Sequence, residues 1–408
     1  MIRPSDAREV EVADVYKGDT LAAKLRRVDG GTEFQYLGAY LAQGGPAVAS
    51  TLPLVVEPYR SGSGAVPPFF AGLLPEGARL AAVVSAVRTS LNDEMSLLLA
   101  VADDPIGDVS IVKSGAPQPE VLQGTQMEPS AVSFRQLFRD SVDPDGETLD
   151  RAIPGVQDKL SSAVISFPLT RSDGPSILKL SPEAFPLVVE NEAWCLDLAK
   201  AAGLAVPRHE LVTDRLGVTG LLVLRFDRKP SGAGFHRVAQ EDACQFLGRW
   251  PADKYRVTVN EIADRVIELA SAPQAAVANL VQQVAFSCVV GNGDLHGKNL
   301  SLQWRSDEEL VAPTAVYDIV SSIPYRRLDD RMALDVDGRV ANIQGRFLVA
   351  FAERYGVPEA LTRRQLGEMI DRVKPRIRSV ENIGFDTSIS ERMAAEMQNR
   401  VARLSRFT

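Results

Sequence analysis

Histidine and cysteine are scarce in this chain, three of each. The cysteines, Cys195, Cys244 and Cys288, form no Cys-x-x-Cys pair, and each sits in an apolar or helical stretch. A disulfide framework and a zinc site are therefore disfavoured, and buried thiols in a reducing cytoplasm are expected. His209, His236 and His296 lie too far apart to suggest a histidine-based metal site. No apolar run approaches the ~18–20 residues that span a bilayer. The start, Met1-Ile2-Arg3-Pro4-Ser5-Asp6, has no apolar signal segment. Net charge is −8 and there is no run of Lys or Arg; Arg326–Arg331 mixes both signs. Direct nucleic-acid binding along the chain is disfavoured, although a partner could supply it. Walker A and Gly-x-Gly-x-x-Gly motifs are absent, and so is any internal repeat.

What is present is an ordinary globular composition, 45% hydrophobic and 24% charged, over 408 residues. That length calls for two or three domains or lobes. Residues 10–56 alternate β-like runs with turns, including Leu52 and Leu54–Val56. After a Pro/Gly/Ser-rich loop, 78–103 read as helices, Gly107–Val112 as a strand and 114–130 as a linker. A β-rich unit follows over 155–228, with strands at 163–167, 177–180 and 220–224 and one helix at 188–202 ended by Gly203. That helix carries Trp194, Leu198 and Ala201 on one stripe. Helical patterns then dominate at 240–248, 259–270, 274–290, 342–354, 359–373 and near 389–405, with a strand-like insertion at 311–318. Two unequal lobes joined near 225–230 would form a cleft of the kind that encloses a nucleotide.

The most informative stretch is Gly291-Asn-Gly-Asp-Leu-His-Gly-Lys-Asn-Leu-Ser301, between an apolar helix and a short alternating segment. It reads either as a polar turn or as a catalytic loop. Asp294 and Asn299 are five residues apart, the spacing at which protein-kinase-type enzymes place a base and a Mg²⁺ ligand. Asp318, read as ending a strand, offers a hard carboxylate for the same ion, or else caps the next turn. Lys179 faces opposite to Leu178 and Leu180. It either snorkels at a sheet edge or points into the cleft at the α/β-phosphates, with Glu192 or Glu190 as ion-pair partner. The segment 153–162 is a weak phosphate-loop candidate through Gly155, Gln157 and Lys159. His296 and Lys298 either order the loop or meet phosphate.

Several blocks occur in one order over nearly the whole chain: FAGLLPE at Phe70–Glu76, PGVQDK at Pro154–Lys159, ILKL at Ile177–Leu180, ENEAWCLDLAKAAGLAVP at Glu190–Pro207, RFDR at Arg225–Arg228, RVAQEDACQFLG at Arg237–Gly248, GNGDLHGKNLS at Gly291–Ser301 and YDIVS at Tyr317–Ser321. This ordered set resembles the HipA family, serine/threonine kinases that serve as toxins of HipB–HipA modules. The resemblance implies an α+β, two-lobed protein-kinase-like fold of HipA type, with an extra N-terminal α/β subdomain and a mainly helical C-terminal lobe. The divisions would fall at 1–120, 121–228 and 229–408. It implies ATP and Mg²⁺ as cofactors, with Asp294 as catalytic base, Asn299 and Asp318 on Mg²⁺, and Lys179, His296 and Lys298 in support. Nucleotide contacts would come from Gly155, Val156, Gln157 and Lys159, from Lys179, from Arg225 and Phe226 at the hinge, and from Gln240, His296 and Tyr317. Expected partners are a HipB-like helix-turn-helix antitoxin, through which alone DNA is met, and a protein substrate, the family's known target being an aminoacyl-tRNA synthetase. No membrane is expected. Ala152 stands where the best-known branch carries an autophosphorylated serine, so that switch is absent or moved to Ser161 or Ser162. The competing expectations are a nucleotide-binding co-repressor, or pseudokinase, that scaffolds the antitoxin, and a small-molecule kinase.

Overall fold

The chain opens with an antiparallel meander. In the structure, a computed structural model that describes residues 4–101, 105–118, 128–137, 164–171, 174–232, 234–305, 309–325 and 331–407, strands β1 (Val12–Lys17), β2 (Thr20–Val28), β3 (Gly31–Tyr36), β4 (Tyr59–Gly62) and β5 (Val109–Lys113) order as β4-β3-β2-β1-β5. Lys17 pairs with Thr20, so Gly18-Asp19 forms a two-residue turn, and Gly18 supplies the positive φ of 56°. Alternation on β3 buries Thr32, Phe34 and Tyr36. Phe34 packs against Phe70, ring centroids 5.3 Å apart, in a core shared by helices α1 (Gly38–Gln43), α2 (Pro68–Gly72, which carries Phe70), α3 (Gly77–Val87) and α4 (Glu94–Val101). The expected strand at 52–56 does not form. Leu52 makes only an isolated bridge to Ala49, and Leu54 and Val56 are exposed, so the alternation there has no sheet to cover.

A second antiparallel sheet, β6-β7-β9-β8, is built from β6 (Ile165–Arg171), β7 (Gly174–Leu180), β8 (His209–Thr213) and β9 (Thr219–Leu224). Helix α5 (Val188–Ala202) crosses it and ends on Gly203 in the left-handed region. Burial on α5 exceeds the expected stripe: Ala193, Cys195, Leu196, Leu198, Ala199 and Ala202 are all buried, while Asp197 and Lys200 are exposed. Both faces of this sheet are covered. Leu178, Leu180 and Leu222 belong to the N-terminal core, whereas Leu221 and Val223 belong to the core of the helical lobe. At ~1.5–3 kcal/mol per fully buried leucine, the shared face bonds the N-terminal domain to this sheet more strongly than a linker would.

The helical lobe surrounds α8 (Pro273–Val290), which packs against α7 (Val259–Leu269), α9 (Gly345–Arg354), α10 (Glu359–Val373) and α11 (Thr387–Leu404). A hairpin, β10 (Arg228–Ser231) with β11 (Gly234–Arg237), leads in. The helix expected at 240–248 is instead strand β12 (Ala239–Asp242) followed by one turn, α6 (Ala243–Phe246). Strand wins because β12 finds a ladder on β13 (Ser301–Arg305), which also pairs β14 (Leu310–Pro313). Asp242 then starts α6 with a capping box, Gln245 N–H donating to its Oδ1 at 2.9 Å. The strand expected over 311–318 stops at Pro313; Thr314 N–H turns to Ser301 O and Val316 N–H to Ala205 O.

Polar clamps fix the N-terminal domain against the hinge and the helical lobe. Asp227 accepts from Arg225, Arg228 and the Gly107 N–H, and both arginines donate to Pro105 O at 2.8 Å. Glu241, whose carboxyl burial pushes up, accepts from the Ser50 N–H and hydroxyl, each at 2.7 Å. The three cysteines are buried and none is in a disulfide. Among the described residues, no helix is long and apolar enough to cross a membrane.

Candidate active site

The polar loop begins where α8 ends. Gly291 takes φ 66° and caps the helix, and Ser322 pins it, with its N–H and hydroxyl both donating to Gly291 O. Asp294 N–H donates to Asn292 Oδ1 and His296 N–H to Asn299 Oδ1, both at 3.0 Å. Gly297 lets the loop approach α6: a Cβ there would lie 2.9 Å from Cys244 Sγ and 2.8 Å from Val257 Cγ2. The loop is thus held from both sides before any ligand arrives. Gly291→Ala is expected to lower the unfolding free energy by about 1–3 kcal/mol, read as a lower urea midpoint, since its Cβ adds left-handed strain to a 2.7 Å contact with Ile323 Cδ1. An unchanged midpoint would show that Ile323 gives way freely.

Lys179 leaves β7 on the face opposite Leu178 and Leu180 and is buried. Its Nζ lies 2.6 Å from Glu192 Oε1 on α5 and also bonds Asp318 Oδ1. Glu192, not Glu190, is therefore its helix partner. Burial would pull the Lys179 ammonium down, but Asp318 and Glu192 raise it above its ordinary value, so it stays charged. Asp318 sits at φ 51°, outside any strand, a conformation that aspartate tolerates better than most residues.

These residues border a cavity of about 300 Å³ between the lobes. Lys179, Arg225, Phe226, Gln240, His296, Lys298, Tyr317 and Asp318 all line it. Phe226 meets Tyr317 at 5.7 Å between centroids, and Gln303 ties Gln240 Oε1 to Phe226 O. Tyr317 OH donates to Lys298 O at 2.7 Å. The Arg225 guanidinium is engaged by Asp227 and Pro105 O, and its N–H by Pro175 O. Asp294 and Asn299 stand on the same loop but are not among the lining residues; both are buried. Gly155, Val156, Gln157 and Lys159, with Ala152, Ser161 and Ser162, lie outside the described residues.

Sequence reasoning missed several neighbours. Tyr255 OH donates to Asp294 Oδ1 at 2.7 Å, and its ring meets His296 edge-on at 5.2 Å. Glu76 lies 2.5 Å from Lys254 Nζ and 3.2 Å from Lys298 Nζ. Burial would raise the Glu76 carboxyl, but Lys298 and Lys254 hold it down at about 2. Burial, aided by Lys254, pushes His296 down to about 4, so it is neutral at pH 7. Burial lifts Asp242 to about 6 against the pull of Lys298. Glu76 was visible only as the last residue of the FAGLLPE block; nothing local marked Lys254 or Tyr255.

The donors fit Mg²⁺. Asp318 and Asn299 offer hard oxygens, and among the described residues no group of three or more His, Cys, Asp or Glu could hold a metal alone. Magnesium is ordinarily held by one or two protein oxygens plus phosphates and water, not by an all-protein cage.

Comparison with known proteins gives concordant matches. The HipA N-terminal domain model matches residues 13–112 and the HipA-like C-terminal domain model residues 151–380. A putative kinase of Sinorhizobium fredii is 29% identical over 342 residues, covering 79% of this chain and 80% of that protein. The serine/threonine-protein kinase toxin HipA of Shewanella oneidensis is 28% identical over 344 residues, 76% of each. HipA in the Shewanella oneidensis complex of HipA, HipB and operator DNA superposes with a TM-score of 0.75 at 22% identity, over 96% of this chain and 97% of that one. The architecture is thus α+β, two-lobed and protein-kinase-like, with the extra N-terminal unit.

Proposed function

Because this chain belongs to the HipA family, we propose that it is an ATP- and Mg²⁺-dependent kinase that phosphorylates serine or threonine of a protein, neutralised by a HipB-like, DNA-binding antitoxin. The observation that carries this reading is the Glu192–Lys179–Asp318 chain of ion pairs at the cavity wall, beside a loop bearing Asp294 and Asn299. Retention of all these side chains is what phosphoryl transfer requires.

In this reading adenine lies against Phe226 and Tyr317 at the hinge, near Arg225, with Gln240 alongside. Lys179 contacts the α/β-phosphates, and Gly155 to Lys159 cradle them. Asn299 and Asp318 would hold Mg²⁺, which would supply positive charge to offset that of the phosphates. Asp294, with Oδ1 held by Tyr255, orients the acceptor hydroxyl and takes its proton as the new O–P bond forms and ADP leaves. Neutral His296 orders the loop, and Lys298 meets the terminal phosphate. The protein target is expected to resemble the family's, an aminoacyl-tRNA synthetase.

One observation favours a second reading, a nucleotide-binding co-repressor: Asp294 is buried, bonded to Tyr255, and does not border the cavity. A lysate test separates the two. Phosphosites are mapped by mass spectrometry after exposure to wild-type chain with Mg·ATP and to Asp318→Asn. The kinase reading expects new Ser/Thr phosphosites with wild type alone. Identical phosphosite sets, with the antitoxin complex intact, would leave the co-repressor.

A further inference from the structure

Of the N-terminal domain's residues that line the cavity, Gly72–Glu76 lie beside His296 and Lys298, while Arg79, Val101, Pro105 and Ile106 line it elsewhere. The approach of Gly72–Glu76 is closely fitted. Gln245 Nε2 donates to Phe69 O at 2.9 Å, Lys298 Nζ donates to Gly72 O at 3.2 Å, and a Cβ on Gly72 would come within 2.6 Å of the Gln245 side chain. Any larger residue at 72 would have to displace the Gln245 side chain.

Three lysines in or beside the cavity are then unequally committed. Lys179 is engaged by Glu192 and Asp318. Lys254 and Lys298 share one carboxylate, Glu76, at 2.5 and 3.2 Å. The short contact anchors the carboxylate on Lys254. The longer one leaves the Lys298 ammonium tethered but able to accept a second anion. Without Glu76 the buried Lys254 and half-buried Lys298 ammonium groups would repel each other, and Asp242 would draw Lys298 off its present line.

We infer that Glu76 is a positioning residue for Lys298, holding its ammonium where the terminal phosphate of a nucleoside triphosphate is received, so that the N-terminal domain completes the phosphate site. This rests on the kinase reading above. Glu76 touches no substrate; it acts through Lys298, with Lys254 as its fixed support.

The test measures Kd by calorimetry for ADP and for a non-hydrolysable ATP analogue, each with Mg²⁺, on the full chain. Wild type is expected to favour the triphosphate. Glu76→Gln is expected to lose about tenfold of that preference, the size of one charge-assisted hydrogen bond, while ADP affinity is retained. Lys298→Met should show the same loss, and the double variant no more than either single one. Equal weakening of both nucleotides, an unchanged preference in Glu76→Gln, or additive losses would overturn the inference. Should Glu76→Gln not fold, Glu76→Gln with Lys254→Met restores the charge balance and is read identically. A wild-type chain that binds neither nucleotide overturns the kinase reading as well; one whose preference survives in the variants overturns this inference alone.

Discussion

Asp294→Asn is expected to slow phosphate transfer by ~10²–10⁴-fold, the range for removing a general base, with nucleotide affinity and melting temperature retained. The asparagine keeps an oxygen for the Tyr255 hydroxyl and the same volume beside His296, so the loop keeps its packing. What is lost is the capacity to take a proton. Because Asp294 is set back from the cavity, the loss should fall on kcat, not on KM for ATP. The measurement is the rate of phosphosite formation on the target that the lysate experiment identifies. A variant that retains wild-type kcat would remove Asp294 from the chemistry and return weight to the co-repressor reading.

The largest stability effect is expected at the hinge. Asp227 is 2% exposed and accepts four hydrogen bonds, from Arg225 Nε and Nη2, Arg228 Nη1 and the Gly107 N–H. Asp227→Asn removes a buried counter-charge that both guanidinium groups share, and the expected cost is about 3–5 kcal/mol in urea unfolding. Burial alone would raise this carboxyl, but Arg225 and Arg228 hold it far below the carboxylate range. A depressed pKa stabilises the fold fully above the unfolded value of about 3.9, and the contribution is lost as pH falls toward the folded value. Wild type should therefore keep this contribution at neutral pH and surrender it only in strong acid, while the variant lacks that part of the acid dependence. A cost below about 1 kcal/mol would mean that the arginines find other acceptors.

Helices with a clean period and local stop signals were legible in the sequence. The range 359–373 is reproduced, and the helix expected from 274 starts one residue earlier, at Pro273. Strands fared worse where pairing decided the outcome. Gln240–Asp242 could read as helix until β13 offered it a ladder, and 311–318 lost its second half when Thr314 and Val316 found other carbonyls. The same division runs through the site. Asp294, His296, Lys298 and Asn299 share one loop, so their spacing alone suggested chemistry. Lys179 was read as facing away from its leucines, and it does, but which glutamate it met awaited the packing of α5. Glu76 was beyond reach because its partner Lys254 lies 178 positions away, and Tyr255 reaches Asp294 across 39. No local pattern encodes such contacts.

The double-sided burial of the second sheet bears on how the chain is made. Synthesis delivers the first meander and its helices well before Leu178, Leu180 and Leu222 leave the ribosome. Until then the face those leucines will cover is open to water. Translation at about 5–20 residues per second makes that interval several seconds long. The nascent first domain is thus a sticky intermediate until its own downstream strands arrive. Codon usage or chaperone supply across residues 113–222 would then set the yield of folded protein as much as any contact in the finished molecule.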